Sequence, residues 1–138
     1  MIEADLREFL LQISEVRAFA GSGKAARIRP AKLHQDDKKG IVYTRLGNVR
    51  DRATNGRTGY ATARIRLDFV NVEEPGQAAY LEAKAVFDAM RNIVDGYRGP
   101  MGDSMVQDAQ IQNDRDEWDE TVLTFVVRCD VVLDYDEG

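Results

Sequence analysis

The sequence is poor in the side chains that carry most enzyme chemistry. Of its 138 residues one is histidine and one is cysteine. Catalysis near neutral pH draws on a histidine, a reactive thiol, or a carboxylate pair held in a cleft. His34 stands in the charged stretch HQDDKKG with no apparent base partner and reads as a solvated surface residue. Cys129 alternates inward between Val127 and Val131 and reads as a buried, inert thiol. One cysteine makes no internal disulfide, so the chain suits a reducing compartment or is indifferent to redox state. Long apolar runs are missing too. None approaches the length that spans a bilayer or forms a signal peptide, so no membrane partner is expected. The chain is therefore expected not to be an enzyme, with no catalytic residue, no cofactor and no metal.

Two motif-like stretches lack the residues their chemistry needs. Gly21, Ser22, Gly23 and Lys24 look like the end of a phosphate-binding loop, but that loop needs a glycine five positions before its Gly-Lys pair and a Ser or Thr after the lysine. Ala18 and Ala25 occupy those positions. A phosphate loop also follows a strand and opens a helix, whereas this one follows a helical pattern. A glycine-rich helix exit is the better reading. The acidic run Asp114, Asp116, Glu117, Asp119 and Glu120 invites a calcium reading, yet the sixth and twelfth positions from Asp114 are Asp119 and Phe125, not glycine and glutamate. The run reads as a solvated acidic turn, with Trp118 either folded onto the sheet edge or exposed as a contact anchor.

What is present is a soluble globular composition, 43% hydrophobic and 31% charged, in one domain over residues 1–138. The net charge of −5 hides an asymmetry. Lys24 to Arg66 holds twelve Lys or Arg against three acids, while Asp103 to Gly138 holds eleven acids against Arg115 and Arg128. Solvated faces account for any single charge run. Two opposite runs in one domain suit unlike partners, or a neighbouring copy.

Apolar residues at Ile2, Leu6, Phe9, Leu10, Ile13 and Val16 predict a first amphipathic helix ending near Gly21. A loop follows over 22–40, with a possible short strand near Ile28. IVYTRLGNV at 41–49 and the alternating YATARIRLDFV at 60–70 predict two strands. Between them RDRATNGRTG centres on Asn55-Gly56, the strongest short hairpin signal. With almost nothing apolar in it, this hairpin reads as a protruding arm. Pro75-Gly76 precedes a second helix striped with Ala79, Ala83, Val86, Phe87, Met90, Val94 and Tyr97, closed by the turn RGPMG. A weaker strand at 105–113, an acidic turn at 113–120 and a clear strand at 121–135, with Leu123, Phe125, Val127, Cys129, Val131, Leu133 and Tyr135 on one face, complete the chain. That order predicts an α+β two-layer sandwich: two helices on one face of a four-stranded, mainly antiparallel sheet with a long protruding β-hairpin, the other sheet face polar and free.

The basic segment 24–66, with Tyr43 and Tyr60, offers an alternative: a small nucleic-acid-binding module that interleaves aromatic and basic side chains. The acidic net charge and the lack of any RRM or KH pattern stand against it.

MIEADLREFLL at the start, IVYTRL, ARIRLDF, YLEAKAVFDAMRNIVDGYRG and the NDRDEWDE turn before a final strand together resemble the tail-completion family of long-tailed bacteriophages, the tail terminators or head-to-tail joining proteins. The resemblance runs along nearly the whole chain. Members often carry a proline before the strand of the Ile-x-Tyr pair, where DDKKG stands before Ile41 and Tyr43 here. The resemblance implies a small subunit of a hexameric ring that caps the tail tube, ends its polymerisation and joins it to the head connector or stopper protein. It implies a place in the virion tail at the neck, and in the host cytoplasm during assembly. The residues suit that role: Arg50, Arg52, Arg57 and Trp118 as contacts to a neighbour or the tube, and Asp130 and Asp134 as acids facing a lumen through which DNA passes without specific binding.

Overall fold

The computed structural model describes residues 2–34, 36–53, 56–72, 77–120 and 124–136, with side chains described except at 48–53, 56–60, 77 and 124. The predicted first helix is two. α1 (Ile2–Leu10) and α2 (Ser14–Ala20) are separated by a tight turn in which Gln12 N–H donates to Phe9 and Ile13 N–H to Leu10. Ile13 itself is extended and buried. The apolar stripe runs across the break without a change of spacing, which hid it, and the turn lets α1 reach the sheet's far side while α2 packs on the later helix. α2 ends at Gly21, whose φ of 88° is left-handed and whose N–H donates to Arg17. The GSGK stretch is therefore the predicted helix exit, its Gly23 and Lys24 already part of one 3₁₀ turn at Gly23–Ala25.

Strands β1 (Ile28–Pro30), β2 (Lys39–Ala53), β3 (Gly56–Asn71), β4 (Gly99–Met101), β5 (Ser104–Asp119) and β6 (Thr124–Asp136), with α3 (Gln77–Val94), complete the chain. The sheet has the order β1-β2-β3-β6-β5-β4 and curls into half a barrel. β1 pairs parallel with β2, and the other ladders are antiparallel. The predicted four-stranded, mainly antiparallel sheet under two helices is thus corrected to a six-stranded mixed sheet with three helices. Both added strands are three residues long, too short for alternation to show: β1 is the possible short strand near Ile28, and β4 has no counterpart in the sequence pattern. β4 arises within the predicted RGPMG turn: Gly102, at φ 58°, makes the tight return to Ser104, and a Cβ there would overlap the Asp5 carboxylate. Asp5 in turn accepts from Ser104 Oγ at 2.7 Å and docks α1 on this corner. The acidic stretch predicted as a turn is the second half of β5.

One core holds the molecule together. Ala61, Ala63, Ile65, Leu67 and Phe69 of β3, with Val127, Cys129, Val131, Leu133 and Tyr135 of β6, point at Leu6, Leu10, Val16 and Phe19 and at the α3 stripe of Ala83, Phe87, Met90 and Val94. Phe87 is fully buried and meets Phe69 edge-on at 5.8 Å between centroids. On the other sheet face a small cluster of Val42, Val70 and Val126 is capped by Leu33 and Val72. That face is therefore less bare than its sequence pattern predicts.

Candidate assembly surface

The β3–β6 ladder runs from Tyr60 opposite Asp136 to Phe69 opposite Val127. At one end the β2–β3 ladder continues past it to Ala53 opposite Gly56. At the other the β5–β6 ladder continues to Asp119 opposite Thr124. Two hairpins thus overshoot the shared sheet at opposite ends. The first carries Arg50, Arg52 and Arg57, whose side chains lie outside the described residues. The second carries the acidic run and Trp118.

Trp118 stands opposite Phe125 and meets it edge-on at 5.4 Å, and each ring is about half exposed (49% and 53%). Of the two placements the sequence left open for Trp118, exposure is the one found. Phe125 is predicted by the alternation to face inward with Val127. It keeps that side of β6 by alternation, but it lies beyond the reach of the helices.

The open sheet face is laced by ion pairs. Arg128 donates to both oxygens of buried Asp68, at 2.7 and 3.2 Å, and also pairs with Glu117 and with Asp119 at 3.6 Å. The Asp68 hydrogen bonds come first in raising the Arg128 pKa above its usual value, against the opposing effect of burial. Arg115, with Arg128 behind it, holds Glu117 below the usual carboxylate range. Arg64 pairs with Asp130 at 3.0 Å and donates to Gln112, while Asn113, at φ 54° in a β-bulge, donates to the same Asp130 oxygen at 3.2 Å. Asp130 is buried, and its other oxygen has no hydrogen-bond partner among the described residues. It lines an open depression of about 500 Å³ with Leu46, Arg66, Asn113, Asp114 and Arg115. Asp134 is partly exposed and accepts from Thr62 at 2.6 Å. Of the two acids assigned to a lumen, Asp130 is thus neutralised by Arg64 within its own subunit. No sequence signal marks this pairing, because it joins β3 to β6 across a register known only from the fold.

Several arginines of the basic segment are engaged within the chain, while Lys24, Lys32 and Lys38 are exposed. Arg27 donates to the carbonyls of Lys39 and Phe19 at 2.7 and 2.9 Å, Arg29 pairs with Asp37 at 3.1 Å, and Arg45 pairs with Glu3 at 3.3 Å. These guanidiniums are engaged before any phosphate arrives, which weakens the nucleic-acid reading. His34 is exposed, its backbone N–H donating to Asp37. Cys129 is fully buried, and burial pushes its thiol up to about 12. Among the described residues no three His, Cys, Asp or Glu side chains gather as a metal site.

These elements define an α+β subunit with a curled mixed sheet and two oppositely charged projecting hairpins. No family model matches the chain, and no curated protein does. Its fold is similar to that of a chain in a solved structure titled "Virion of native gene transfer agent (GTA) particle", with a TM-score of 0.62 and 10% identity, over 94% of this chain and 90% of that one. At that identity the likeness is one of fold.

Proposed function

We propose that this chain is a structural protein of a phage-like virion, and that it forms a hexameric ring capping the tail tube, ending its polymerisation and joining it to the head connector or stopper protein. The carrying observation is the fold likeness to a chain of a gene transfer agent particle, which spans nearly all of both chains. The sequence resemblance to tail-completion proteins points the same way by an independent route. In this reading Arg50, Arg52 and Arg57 reach a neighbouring copy or the tube, Trp118 anchors a contact, and DNA passes the ring without specific binding. Repulsion of DNA then falls mainly to Asp134, since Asp130 is already paired.

The test is to add the purified chain to polymerising tail-tube protein and measure tube lengths by electron microscopy. Shorter tubes, each closed at one end by a ring, are the expected result. An unchanged length distribution with no bound density refutes the capping role.

A further inference from the structure

The sheet has two unpaired edges, at diagonally opposite corners. β1 covers β2 only over Ile41–Tyr43, so from Thr44 to Ala53 the outer side of β2 has no backbone partner among the described residues. β4 covers β5 only over Ser104–Val106, and the end of α3 adds bonds from Gly96 N–H to Ala109 and from Ile111 N–H to Asp95. From Asn113 to Trp118 the outer side of β5 is likewise uncovered among the described residues. Each uncovered edge belongs to one projecting hairpin.

Exposed strand edges invite further pairing, and charge decides with what. β2 from 44 to 53 carries Arg50 and Arg52 against Asp51, beside Arg45, which is paired with Glu3. Residues 113–120 carry five acids against Arg115; of these acids Glu117 and Asp119 pair with Arg128, and Asp116 accepts from Tyr80 at 2.7 Å. Two β2 edges repel each other, and so do two β5 edges. Only the unlike combination attracts. Both strands keep an unbroken register where it is needed, Gly47–Arg50 on β2 and Arg115–Asp119 on β5, outside their bulges. Each corner also presents large apolar surface, Leu46 at 47% exposure on one and the Trp118–Phe125 pair on the other.

We propose that copies join edge to edge, the β2 edge of one adding onto the β5 edge of the next. β2 and β5 run in opposite senses within the subunit, so copies standing side by side in the same orientation pair antiparallel. The diagonal placement imposes a stagger between neighbours, which is what closing a sheet around an axis requires. The contact is heterologous and one-directional, and it specifies the interface of the ring proposed above, on which it rests.

The experiment uses two full-length variants. One carries Arg50→Glu, Arg52→Glu and Arg57→Glu. The other carries Asp114→Lys, Asp116→Lys and Glu120→Lys, leaving Glu117 and Asp119 to hold Arg128. Circular dichroism and thermal unfolding check that each is folded, and mass is read by light scattering and native mass spectrometry. Each variant alone should lose the wild-type assembly, and their equimolar mixture should recover it as a ring of alternating copies. The inference is overturned if either folded variant assembles alone like wild type, if the mixture stays monomeric, or if wild type itself is monomeric up to its solubility limit. Failure of the capping reading is separable: tubes left uncapped by a ring that obeys this charge-swap pattern refute the function and leave the interface standing.

Discussion

Arg128 is the side chain on which the open sheet face depends most. Its guanidinium is largely buried and is the bidentate partner of Asp68, which is buried as well. Removing one member of such a pair strands the other in a poorly solvated place, so Arg128→Ala should cost about 3–5 kcal/mol in chemical denaturation. Replacing both with well-packed apolar residues should cost far less, because no charge is then left stranded. The acid end of the stability curve follows from Glu117 and Asp37. Arg115 and Arg29, respectively, hold these two carboxyls below their ordinary values. Their folded pKa values are depressed, so the stabilisation is complete above the unfolded carboxylate range and drains as the pH falls through the lower folded values. Stability should therefore be flat down to about pH 5 and decline below it. Glu117→Gln should make that decline shallower in a pH series of denaturant melts, and an unchanged slope would dissociate Glu117 from it. Cys129 has the opposite character. Buried and pushed up to about 12, it should resist thiol reagents at pH 8 until the core opens, so its labelling rate reports unfolding.

Among the elements, those with a clear apolar period are legible in the sequence, whereas the acidic second half of β5, which has none, reads as a turn. α3 was read from a stripe of seven apolar residues, and six of these, from Ala79 to Val94, are buried. Tyr97 lies just past the helix, its ring 4.6 Å from that of Phe9. β3 and β6 are legible from twelve alternating positions, of which ten reach the core, while Phe125 is half exposed and Leu123 lies outside the described residues. β1 shows only as a possible short strand near Ile28 and β4 escapes altogether, because three residues contain no period, and the α1–α2 break escapes because the stripe ignores it. The candidate surface was half legible. Charge blocks showed which hairpins differ, but the pairing of Arg64 with Asp130 and the depth of Asp68 needed the strand register. Two substitutions separate core from surface. Phe87→Ala removes a fully buried ring and should destabilise by about 3–5 kcal/mol. Trp118→Ala removes a half-exposed ring with one aromatic partner and should cost about 1 kcal/mol at most, while weakening association between copies. Trp118 is the sole tryptophan, so the intrinsic emission of the chain belongs to the β5–β6 hairpin. It should be red-shifted in the isolated subunit and move to shorter wavelength on assembly. Emission that stays constant while mass rises would place the contact elsewhere.

At the scale of the whole molecule, charge is sorted along the strands more than it is summed. In the proposed assembly a net charge of −5 keeps unaligned copies apart, while the opposed hairpins attract once aligned. Contacts of this kind are exposed and screened, so association should weaken between about 0.05 and 0.5 M salt, over which the Debye length shrinks from above to well below 10 Å. Analytical ultracentrifugation across that range checks it, and salt-independent association would point to a dry apolar interface instead. The two hairpins projecting from opposite ends also have a geometric consequence. A body with a donor corner and an unlike acceptor corner is vectorial, and a circle built from such bodies has no two-fold axis lying in its plane. Its top and bottom then differ in shape and chemistry at every position, so one surface can be matched to one neighbour and the reverse surface to another. In the ring proposed above, directionality along the tail would thus be written into a single small chain.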